Sequence, residues 1–96
     1  MLTLATFSPL LGSAFDLHAD AAAPMPVQLV EAGALTGPGG AARTPFSLVF
    51  EGPAQPQLPQ AAYSLAHPAL GPEPLCIFLV PVGRSPAGIR YEAVFN

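Results

Sequence analysis

The chain has 96 residues, of which 51% are hydrophobic and only 9% charged, with a formal net charge of −3. That size accommodates one domain, 1–96, with a thin core, and the hydrophobic content excludes an intrinsically disordered chain, which needs the opposite balance. Lysine is absent and Arg43, Arg84 and Arg90 stand apart among six acids, so no basic face is expected for nucleic acid or for anionic lipid.

In chain order, the first structured stretch is "SPLLG" (8–12), which reads as one helical turn with Ser8 as N-cap, Pro9 at the first helical position and Gly12 as the stop. Beyond it the apolar residues alternate as they do in strands. "FDLHA" (15–19) sets Phe15 and Leu17 against Asp16 and His18, and "VQLVEA" (27–32) continues less cleanly because Val30 shares a face with Gln28. "PFSLVFEG" (45–52) lines up Phe46, Leu48 and Phe50, and "AAYSLAH" (61–67) lines up Tyr63 and Leu65. "PLCIFLVPVG" (74–83) is apolar on both faces, the pattern of a strand covered on both sides. "IRYEAVFN" (89–96) alternates again, with Arg90 and Glu92 opposite Ile89, Tyr91, Ala93 and Phe95.

The connections carry glycine and proline. "GRSPAG" (83–88) has the make-up of a short hairpin loop, and "GPAQPQLPQ" (52–60) that of a stiffer one. Two overlapping P-x-x-P units lie in the latter, but no basic residue flanks them, so a stiff surface loop is the expectation rather than a polyproline ligand. Short, evenly spaced strands without helices between them predict an all-β fold: a small antiparallel meander of about six strands, closed as a barrel or folded as a sandwich, with one short N-terminal helical turn. The final strand is expected to pair with the one before it, so that truncating Phe95 and Asn96 destabilises the fold, by about 3 kcal/mol or more if Phe95 is fully buried. The apolar N-terminus lacks the positively charged region of a secretory signal, which leaves a cytoplasmic location as the default expectation. No apolar run reaches the ~18 residues that a membrane-spanning helix requires.

The landmarks "FSPLLGSAFDL", "FSLVFEGP", "LPQAAYSLAHPALG", "IFLVPVG" and "YEAVFN" together resemble a family of small bacterial proteins classed as a domain of unknown function, DUF6916. The resemblance runs through nearly the whole chain and is weakest over 20–44. It implies an association with phage-tail or collar-type neighbours and brings no catalytic residue with it.

Among the candidate chemical groups, Asp16, His18 and Asp20 sit at i, i+2 and i+4, which places them on one side of a strand roughly 6–7 Å apart. Carboxylate and imidazole suit a divalent transition metal, but the spacing is wide for one ion and a solvated outer face is the plainer expectation. His67 precedes Pro68 and is expected to fix the turn that follows. The sole cysteine, Cys76, lies in an apolar run and is expected to be a buried, inert thiol. There is no G-x-S-x-G elbow, and "GPGG" (37–40) lacks the Lys-Ser/Thr continuation of a phosphate loop.

These features predict a non-enzymatic structural or accessory domain without a cofactor, working through a protein partner or self-association by an exposed apolar edge or face. The alternative is a barrel enclosing a small apolar ligand, in which Tyr63 and Tyr91, with His67, would supply the polar contacts.

Overall fold

The computed structural model describes residues 3–18, 24–35, 45–55 and 57–95. Six antiparallel strands close into a barrel: β1 (Ala14–His18), β2 (Met25–Ala34), β3 (Phe46–Gly52), β4 (Ala61–Ala66), β5 (Leu75–Ser85) and β6 (Gly88–Phe95). Around the ring the order is β1-β2-β3-β6-β5-β4. Two three-stranded meanders, β1-β2-β3 and β4-β5-β6, are therefore joined edge to edge by the β3–β6 and β1–β4 ladders. Closure pairs every strand with a neighbour on both sides over part of its length, which shortens the open sheet edge that could template pairing with another chain. It settles barrel over sandwich.

Alternation explains the interior. Phe15 and Leu17, Val27 and Leu29, Phe46, Leu48 and Phe50, Tyr63 and Leu65, Ile77 and Leu79, and Ile89, Tyr91 and Ala93 all point inward and are buried. Their neighbours along each strand face out. The irregularity noted in "VQLVEA" is a bulge: the β2–β3 register slips between Leu29 and Glu31. The extra residue, Val30, shifts the inward phase so that Ala32 packs against the core.

The lower end of the barrel, where β1 and β3 begin, is closed by the N-terminal segment. The helix starts earlier than the sequence pattern predicts. Thr3 precedes it, its N–H donating to Thr6 Oγ1 at 3.1 Å, and α1 (Leu4–Phe7) then tightens into a 3₁₀ turn over Ser8–Leu10. Ser8 therefore continues the helix rather than capping it, while Gly12, at φ 85°, does end the segment. This early start brings Phe7 over the barrel, where it is fully buried. Its ring lies 6.0 Å from that of Phe46 and 5.7 Å from that of Phe95, which in turn stack on each other at 4.7 Å.

Residues 91–95 thus belong to a strand paired on both sides. β6 pairs with β5 as expected and also with β3, in register from Phe46↔Phe95 to Gly52↔Ile89. Phe95 itself is only half-buried, because it sits at the rim beside the N-terminal helix rather than inside the ring.

The other end is crossed by a strap. β3 and β4 lie on opposite walls of the ring, so the connection between Gly52 and Ala61 must span the barrel mouth. Leu58 packs against the core beneath it.

Candidate functional site

Tyr91 is fully buried, and its hydroxyl accepts the Leu58 N–H at 2.9 Å. Tyr63, also buried, donates its hydroxyl to the Pro59 carbonyl. Two strands on different walls thereby hold adjacent residues of the strap. Both phenols, expected in the ligand-binding reading to meet a small molecule, bind the protein's own backbone instead. The interior they would have lined is occupied by Tyr91, Phe7, Phe15 and Phe50, with the Phe15 and Phe50 rings edge-to-face at 5.3 Å. Two hollows among the described residues open on the outside. One, of about 360 Å³, lies against Gln28, Glu51 and Pro53, and another, of about 330 Å³, lies along the bulged stretch of β2 from Val30 to Ala34.

His67 stands at the end of β4, as the His-Pro pair requires. Its Nδ1 accepts the Ala69 N–H at 3.0 Å, capping the 3₁₀ turn Pro68–Leu70. The same ring lies 4.5 Å from Phe15, and its Nε2 is 3.1 Å from Ser13 Oγ. The Ser13–His67 pair spans 54 positions, and the sequence pattern contains no sign of it. It has the composition of a nucleophile and base but the wrong direction. An Nδ1 that accepts leaves the neutral ring's proton on Nε2, so His67 donates to Ser13, and Ser13 passes its own proton to the Leu10 carbonyl. A general base must accept from the nucleophile. This arrangement ties the N-terminal segment to the β4 corner and activates nothing.

Asp16 and His18 do share the outer side of β1, opposite Ala66 and Ser64 of β4. Asp20 lies outside the described residues. Among the described residues no three potential metal ligands come together.

The polar side chains gather on the outside of the upper barrel. Glu51 accepts from Ser85 Oγ at 2.6 Å and from Arg90 Nε at 3.2 Å, and Arg90 reaches on to Glu31 at 3.5 Å. Four consecutive strands of the ring, β2, β3, β6 and β5, are linked in this way. The Ser85 hydroxyl first, and the Arg90 guanidinium second, hold the Glu51 carboxyl below the ordinary glutamate range.

The lower outer wall of β4-β5-β6 is different. "PLCIFLVPVG" was expected to be covered on both faces, yet only Ile77 and Leu79 are buried. A barrel wall has one inside, so the alternate residues of β5 emerge on the outer surface. Cys76 is exposed, contrary to the expected buried thiol. Phe78 is 53% exposed and Val94, on β6, 51%. Register places Phe78 beside Ala62, Cys76 beside Ser64, and Val80 beside Glu92. The result is an apolar patch centred on Phe78, with Glu92 at its edge.

Fold and side-chain arrangement together define a small closed antiparallel β-barrel whose two ends are plugged by its own chain and whose most distinctive surface is an apolar wall. Within that class, the chain belongs to the family described as "Domain of unknown function (DUF6916)", whose model matches residues 2–95. No curated protein and no solved structure matches it. No helix among the described residues is long and apolar enough to cross a membrane.

Proposed function

We propose that this domain works by binding, as a non-enzymatic structural or accessory subunit that presents the outer wall of β4-β5-β6 to a protein partner or to copies of itself. The observation that carries this reading is the half-exposed Phe78 at the centre of an apolar stretch of wall on a closed barrel. An exposed aromatic anchor among small and aliphatic neighbours is the make-up of an interface centre. The phage-tail or collar-type setting implied by the family resemblance is the kind of assembly in which such a subunit would serve.

The test is recovery of partners from the native source with tagged wild type, with Phe78→Ser, and with Gln28→Ala on the opposite wall as control. The reading predicts a stoichiometric partner, or self-association, that survives Gln28→Ala and is lost with Phe78→Ser. Equal recovery with all three proteins would remove the wall from the mechanism.

A further inference from the structure

The border of the Phe78 wall carries a consistent charge. Glu92 lies beside Val80 in the row next to Phe78. Asp16 flanks Ala66 across the β1–β4 ladder, and Glu73 lies two residues before β5 begins. His18, next to Ser64, completes the described titratable border. Of the described arginines, Arg90 lies two residues before Glu92 on the same side of β6, but its guanidinium turns to the opposite neighbour. Arg90 is engaged by Glu51 and Glu31 on the upper barrel, and Arg84 is six positions along β5 from Phe78, roughly 20 Å at strand rise.

We infer that the β4-β5-β6 wall receives a partner protein surface with an apolar centre and a rim of lysine or arginine, and not a second copy of this chain. The inference rests on the binding reading above and specifies the chemistry of its partner. Two copies meeting through this face would each bring Asp16, Glu73 and Glu92 to one interface, and the nearest described cation, Arg90, is already shared between Glu51 and Glu31. Like charges brought together across an interface disfavour the pairing, whereas an oppositely charged rim steers encounter and fixes orientation. Glu92 is the carboxylate best placed to meet such a rim, being the one in the row adjoining Phe78.

Cys76 provides the reporter, since it is the chain's sole cysteine, is exposed, and pairs across the wall with Ser64. The full chain is alkylated with iodoacetamide in the presence of an amphipathic leucine/lysine helical peptide or of the same peptide with glutamate for lysine. Sedimentation equilibrium of the protein alone runs in parallel. Phe78→Ser and Glu92→Gln are compared with wild type, each checked for folding by circular dichroism; both positions face outward.

The expected result is a monomer whose Cys76 is protected by the lysine peptide and not by the glutamate peptide. Affinity should fall at least about tenfold in Phe78→Ser, as for loss of an anchoring aromatic. It should fall less in Glu92→Gln, where the residual binding should also be less sensitive to salt. A wild-type dimer that dissociates in Phe78→Ser would overturn the inference and leave the binding reading standing. Equal protection by both peptides would overturn the charge rule alone. A monomer with Cys76 unprotected by either peptide would overturn both readings.

Discussion

Tyr91 shows how far a single polar atom constrains this barrel. Replacing it with phenylalanine keeps the buried ring and leaves the Leu58 N–H without its partner. The expected cost is about 1–2 kcal/mol, measured by urea denaturation, with faster amide exchange confined to the 53–60 strap. His67 makes a contrasting case because two functions meet on one ring. His67→Ala should cost about 1 kcal/mol from loss of the cap, whereas His67→Asn should recover most of it, since the amide oxygen can accept the Ala69 N–H. The Ser13 link would be lost in both, so the two variants separate capping from tethering in thermal melts.

Glu51 gives a pH dependence. Its folded-state pKa is depressed by Ser85 and Arg90, so its stabilising contribution is present above the ordinary glutamate value of about 4.3 and is lost as pH falls through the depressed folded value. Glu51→Gln should therefore flatten the acid limb of a stability–pH curve and leave its slope near neutrality unchanged. None of these partners was legible in the sequence. The capping role of His67 followed from His-Pro, but Ser13, Leu58 and Pro59 are brought to their contacts only by ring closure.

Among the elements, the strands were legible because alternation survives in most of them and apolar runs bounded by Gly and Pro mark the rest. β2 departs where Val30 bulges, and the sequence already showed that break in phase. β5 was misjudged for a physical reason: continuous apolarity is the mark of a strand covered on both faces, and it is equally the mark of a strand whose outer face serves as an interface. Periodicity does not distinguish the two. The helical turn was placed too late because Ser8-Pro9 is a stronger start signal than Thr3–Thr6, and the burial of Phe7 favours the earlier start. The β5–β6 hairpin has one position without latitude. Gly88 sits at φ 151°, and a Cβ there would overlap the Gly52 carbonyl oxygen of β3. Because that obstacle is backbone, Gly88→Ala should destabilise by at least about 3 kcal/mol, seen as a large drop in the melting temperature. Gly83→Ala, where the space is open, is the matched control.

At the scale of the whole molecule, the ring order brings the two meanders together and puts Phe46, Phe95 and Phe7 in one cluster under the barrel, while the strap closes the opposite mouth. Both ends are plugged and aromatic side chains pack in the described interior, so the proposed binding role falls to the outer surface. There the upper barrel is linked by the Glu31–Arg90–Glu51–Ser85 network and the lower β4-β5-β6 wall is left apolar. The low charge content visible in the sequence anticipated an exposed apolar surface, but its location depended on which side of β5 closure turned outward. The central claim is that this wall is covered when the protein is at work. The most direct measurement is the reactivity of Cys76 toward a membrane-permeant maleimide in intact native cells, set against that of the purified protein. Rapid labelling of the purified chain and marked protection in the cell are expected, with protection lost in Phe78→Ser. Equal labelling rates in both settings would contradict the claim.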